Sequence, residues 1–167
     1  MFVAVWPSAE ARQVIAAMPR PEVGGLRWMG QDNWHVTLRF FGNVERDEAW
    51  EALASARLPA PPVVAQMGPA TTLIGSGVLC APVGGLHGLA AAVESATAGV
   101  GMPPRPGRFR GHLTLARARD PRYLRPLVGT PLEATWTVGE VTLVSSRTRP
   151  DGAHYTVEEF CSLPSPG

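Results

Sequence analysis

A chain of 167 residues with a formal net charge of +1, 45% hydrophobic and 17% charged residues has the composition of one globular domain with a sizeable core, which excludes a disordered or low-complexity protein. No apolar run approaches the roughly 20 residues that span a bilayer, and the opening "MFVAVWPSAEARQ" lacks the basic region and small-residue cleavage site of a signal peptide, so no membrane association and a cytoplasmic location are expected. Two cysteines, Cys80 and Cys161, are too few for a disulfide framework or a structural zinc site and are expected as buried packing.

In chain order, "FVAVW" (Phe2 to Trp6) reads as a strand, with Ser8 as N-cap of a helix over "AEARQVIAAM" whose Val14, Ile15 and Met18 share a face. After a Gly-rich turn come "LRWM" and then "WHVTLRFFG", a strand bounded by Asn33 and by Gly42-Asn43. "ERDEAWEALASAR" predicts a second helix, with Ala49, Trp50, Leu53 and Ala54 on one side, acids early and Arg57 late, as a helix dipole prefers. Beyond the punctuating "LPAPPV" the order partly repeats. A strand at "GVLCAPV" leads to a helix at "GLHGLAAAVESATA", with Leu86, Leu89, Ala90 and Val93 on one face, then to a loop and the strand "GHLTLAR". A helical candidate, "PRYLRPLV", follows before strands at "LEATWTV", "EVTLVSS" and "HYTVEEF", and the tail 163–167 is expected to fray.

The two strands "WHVTLRFFG" and "GHLTLAR" each carry His, apolar, Thr, apolar. Val3 precedes His35 by 32 positions and Leu79 precedes His112 by 33, with a strand and a helix leading into the His segment each time. This pattern predicts a degenerate internal duplication. For a chain of this composition the motif is expected by chance roughly 0.05 times, so two copies in strand contexts carry weight that one would not. On a strand, residues i and i+2 share a face, so His35 projects with Thr37 and His112 with Thr114. If the halves are related by an approximate two-fold axis, the four side chains form a clamp around one tetrahedral group.

An imidazole titrates near neutral pH, so one His can take a proton from an attacking water while the other gives one to a leaving oxygen. The Thr hydroxyls can donate to non-bridging phosphate oxygens. Neither motif has Asp, Glu, Cys or a second His at ligand spacing, so no metal site is expected, and without a P-loop or Rossmann fingerprint no nucleotide cofactor is indicated. Strict alternation gives Arg39 and Phe41 the parity of His35 and Thr37, which marks them as cleft-edge contacts. All fifteen basic residues are Arg, and seven lie between Arg105 and Arg125, a local field attractive to phosphate. His87 lies off the apolar face of its helix and reads as solvated. His154 reads as structural or peripheral.

These segments resemble the 2H phosphoesterases, and within them the RNA 2′,3′-cyclic phosphodiesterases also called 2′-5′ RNA ligases. "FVAVWP" is similar to that family's opening strand, "DNWHVTLRFFGNV" to its first signature, "RFRGHLTLAR" to its second, and "SSRTRPDGAHYTV" to its C-terminal Ser, Gly and Tyr pattern. The resemblance implies an α+β fold of two pseudo-symmetric lobes, with antiparallel sheets and outer helices around a central cleft. Residues 1–167 would form one bilobal domain with one motif per half, at 35–38 and 112–115. It implies His35 and His112 as the acid and base pair, with His112 as base the preferred order, and Thr37 and Thr114 as phosphate donors. Arg117 is implied as a phosphate or ribose contact, a role that strict alternation opposes unless the strand ends or twists there. Gly111 stands where family members often carry Pro, a change expected to loosen the entry to the second strand. The implied reaction opens a terminal 2′,3′-cyclic phosphate on RNA to a 2′-phosphate, with 2′-5′ ligation as its reverse, by a monomer without cofactor. Two alternatives stay open: a module that holds RNA or nucleotide without catalysis, and the same chemistry on a small cyclic nucleotide.

Overall fold

The structure is a computed structural model and describes residues 1–60, 62–104, 107–149 and 152–164. Arg105 of the arginine cluster and the end of the tail, 165–167, lie outside the described residues. β1 (Phe2–Val5) leads to α1 (Ala9–Ala16), β2 (Leu26–Trp28), β3 (Val36–Phe40) and α2 (Arg46–Ala54). β4 (Val63–Met67), β5 (Thr72–Ile74) and β6 (Val78–Gly84) precede α3 (His87–Ala96) and β7 (His112–Ala118). β8 (Ala134–Val138), β9 (Glu140–Arg149) and β10 (Gly152–Ser162) follow.

The strands form a curled sheet in the order β10-β9-β1-β3-β7-β6-β4-β8, with β2 added to β7 and β5 to β6. Every described pairing is antiparallel. The two runs of four strands meet at β3 and β7, the strands that carry the two His-Thr segments, through the register Val36↔Leu113. The main core lies on one face of this sheet, where Val3, Val5, Val36, Leu38 and Leu113 meet Ile15 of α1, Leu53 of α2 and Leu89 of α3. α3 packs on β3, and α1 packs on β8. A smaller cluster of Phe2, Ala4 and Val144, with Trp6 and Tyr155 against it, covers the opposite face of β1. Both faces of β1 are thus buried, which explains a strand that is apolar at every position. The helices back the sheet on one side, and the other side is left for the motif residues.

Local chemistry accounts for most element ends. The Ser8 hydroxyl accepts from the Ala11 amide at 3.2 Å and caps α1. α1 turns Ala11 and Ile15 to the core, and Val14, roughly 100° round the helix from Ile15, is 37% exposed. Met18 is buried from the turn beyond the helix, not from the helical face. In α2 the core takes Ala49 and Leu53, while Trp50 is half-buried, Ala54 is exposed and Arg57 lies past the last helical residue. "PRYLRPLV" forms two short 3-10 turns, Pro121–Tyr123 and Arg125–Leu127, because Pro126 has no amide to continue an α-helix. Cys80 is buried and its thiol is pushed up to about 11 by desolvation. Cys161 is only half-buried. Among the described residues no helix is long and apolar enough to cross a membrane.

Candidate active site

Val36 and Leu113 point into the core on the helix side of the sheet, so their neighbours His35, Thr37, His112 and Thr114 project from the other side. In an antiparallel pair the flanking residues face each other crosswise. His35 therefore neighbours Thr114, and Thr37 neighbours His112, about the Val36↔Leu113 centre. Each strand is anchored just before its His. Trp34 is fully buried and its indole N–H donates to the Met29 carbonyl at 3.2 Å. On the other strand, the Val83 amide donates to the Gly111 carbonyl at 2.9 Å. A Cβ at Gly111 would lie 2.3 Å from the Val83 carbonyl oxygen, so the close approach of β6 leaves no room for a side chain at the entry to β7.

The two imidazoles are held alike. His35 Nδ1 lies 2.9 Å from the Asn33 carbonyl and His112 Nδ1 lies 2.9 Å from the Arg110 carbonyl. A carbonyl only accepts, so each Nδ1 carries a proton and each neutral ring keeps its Nε2 lone pair. In His35 that nitrogen accepts from the Thr37 hydroxyl at 3.2 Å.

Their surroundings differ. Phe2 stacks on His35 with centroids 4.8 Å apart, Tyr155 meets its ring edge-on at 5.0 Å and Trp6 lies at 5.5 Å. Burial pushes the His35 pKa down to about 4, with the nearby His112 adding to the shift, while the hydrogen bond to Asn33 opposes it. The fold therefore favours neutral His35. This stabilisation is complete above the ordinary value of 6.5, and as pH falls through that value the unfolded chain takes up a proton that the fold refuses. About 3 kcal/mol is lost by pH 4 on this account. Denaturant unfolding at pH 7 and pH 4.5 is expected to show a larger loss in the native protein than in His35→Gln, and equal losses would contradict it.

The edge residues are rearranged by two bulges at matching places. Against β1, Val3 pairs with Arg39 and Ala4 with Thr37, so Leu38 is the extra residue. Against β6, Leu79 pairs with Ala116 and Cys80 with Thr114, so Leu115 is extra. Each bulge inverts the alternation that follows it. Arg39 and Phe41 turn into the core, at 5% and 0% exposure, and do not line the site. The Arg39 guanidinium donates to the carbonyls of Phe40 (2.7 Å), Val100 (3.2 Å) and Met102. Phe40, 46% exposed and paired with Phe2, takes the site face instead. The same inversion on β7 brings the exposed Arg117 to the face of His112 and Thr114.

Sequence reasoning misses Phe2, Trp6, Phe40 and Tyr155 as site residues. His87 is exposed, with its ring edge-on to Phe109 at 5.7 Å, and His154 is exposed on β10. Among the described residues no group of three or more His, Cys, Asp or Glu is placed to hold a metal ion. Two concavities elsewhere, one beside Val14, Met18 and Pro131 and one beside Gly42, Glu48 and Ser145, include none of the four motif residues.

Several solved structures share the whole extent of this fold. TT0787, a protein of Thermus thermophilus, is 28% identical with a TM-score of 0.80, covering 97% of this chain and 96% of its own. E. coli LigT complexed with 3′-AMP is 27% identical with a TM-score of 0.75, covering 97% and 96%. E. coli LigT complexed with phosphate is 27% identical with a TM-score of 0.71, covering 97% and 95%. No curated protein sequence matches. The model of the 2′-5′ RNA ligase superfamily matches residues 6–150. With that match over most of its length and this fold, the chain belongs to the 2′-5′ RNA ligase superfamily of 2H phosphoesterases.

Proposed function

We propose that this protein opens terminal 2′,3′-cyclic phosphates on RNA to 2′-phosphates, using His35 and His112 as acid and base without a metal ion. The observation that carries the reading is the Val36↔Leu113 register, which puts two imidazoles and two hydroxyls on one face around a common centre. Crystals of E. coli LigT with 3′-AMP and with phosphate support a nucleotide phosphate as the group held there.

In the proposed step one Nε2 accepts a proton from water as the oxygen attacks phosphorus. The P–O3′ bond breaks, and the other imidazole, protonated, delivers its proton to O3′. Thr37 and Thr114 donate to the non-bridging oxygens, whose charge grows in the transition state. Burial holds His35 neutral in the free protein, and an anion seated beside it favours the protonated ring. With His112 as base and His35 as acid, the order preferred from the sequence, substrate binding takes up a proton near pH 7. In the opposite order His35 stays neutral. The exposed ring of Phe40 offers a stacking surface to the terminal base.

The test is phosphorus NMR of an oligonucleotide ending in a 2′,3′-cyclic phosphate, incubated with the protein in EDTA. A new 2′-phosphomonoester signal is expected. An unchanged cyclic ester would overturn the reading in favour of a binding module.

A further inference from the structure

The site face extends past the two motifs in opposite directions. Towards the end of β3 it carries the apolar Phe40. Towards the end of β7 it carries arginines. β2 runs antiparallel beside that end, and its register sets Arg27 directly opposite Arg117. Directly opposed residues of a ladder share a face, so Arg27 stands on the same side as Arg117, and both are exposed. Two guanidinium forks on one face present several N–H donors to an anion's oxygens. Arg119, two residues further along, is also exposed.

The Arg27 guanidinium is not splayed into solvent. It lies against the backbone of Gly152, where β10 begins, and a Cβ built on that glycine would fall on it. The head group is thereby held beside the start of β10, the strand that carries Tyr155 to His35. At about 3.3 Å of rise per residue, Arg117 stands roughly 7–10 Å along β7 from Thr114, a span comparable to the step from one phosphate to the next along a nucleic-acid strand.

We propose, building on the phosphodiesterase reading, that Arg27, with Arg117 facing it, forms a second anion site that holds the phosphodiester preceding the terminal nucleoside. The apolar end of the face takes the base, and the cationic end takes the backbone. The site selects an RNA end over a free cyclic mononucleotide, which has no phosphate to place there.

The experiment compares kcat/KM for a short oligonucleotide ending in a 2′,3′-cyclic phosphate with that for a mononucleoside 2′,3′-cyclic phosphate, over a range of salt. The native protein is expected to prefer the oligonucleotide. Arg27→Gln lowers the ratio of the two values about tenfold and flattens the slope of log kcat/KM against log salt for the oligonucleotide by about 0.7. Arg27→Lys, which keeps the charge and loses the fork, restores the slope. A ratio and slope unchanged in Arg27→Gln would overturn the second site while leaving the phosphodiesterase reading intact. Turnover of neither substrate by the native protein would end both.

Discussion

Replacing either His35 or His112 by alanine lowers the turnover of a 2′,3′-cyclic phosphate at least about 100-fold, the ordinary worth of a positioned acid or base. Removing both costs little more than removing one, because proton removal from water and proton delivery to O3′ belong to one step. The geometry makes the loss catalytic in origin. Each ring is held by a carbonyl two residues earlier in its own segment, Asn33 for His35 and Arg110 for His112, and both stand on the sheet face opposite the core residues Val36 and Leu113. Single-turnover kinetics with circular dichroism on the same samples check this. Retained turnover in both single variants would remove the acid and base roles, and a lost fold in either would move its His to the core.

Arg39→Met lowers unfolding free energy by about 3 kcal/mol, read as a drop in urea midpoint at constant slope. A buried guanidinium is the side chain that sequence reasoning would place elsewhere, since its charge and its parity with His35 both point to the cleft. In the fold it serves three backbone carbonyls, Phe40, Val100 and Met102, and lies over the Phe41 ring at 5.2 Å. Methionine fills much of the same volume but donates nothing, so all three carbonyls lose their donor, that of Val100 in buried surroundings. The Met102 amide donates to the Phe41 carbonyl at 2.8 Å, so the same contact ties the end of β3 to the loop that leads into β7. A loss below about 1 kcal/mol would mean that water replaces the guanidinium at all three acceptors.

What the sequence makes legible here is local. Two short motifs on strands, their shared parity, the Ser8 cap and the main helices all depend on spacing within a segment. The misplacement of Arg39 and Phe41 has a single non-local cause. "HVTLRF" reads as unbroken alternation, and nothing inside it shows that Leu38 is bulged. The bulge exists because β1 pairs Val3 with Arg39 and Ala4 with Thr37, a register set by a strand more than thirty positions earlier. The aromatic surround of His35 is hidden for the same reason, since Phe2 and Tyr155 reach it through β1 and through β10, at opposite ends of the chain. β4 and β5 escape a sequence reading because their short runs follow proline-rich turns and "VVAQM" is too brief for its period to show.

The central claim is that both imidazoles face one phosphate, and nitrogen NMR of the protein labelled at histidine tests it most directly. On titration with a nucleoside 2′-monophosphate in EDTA, the Nε2 signals of His35 and His112 are expected to move together and saturate at one equivalent, while His87 and His154 stay still. Movement of only one of the two, or saturation at different ligand concentrations, would show two independent sites and contradict the clamp.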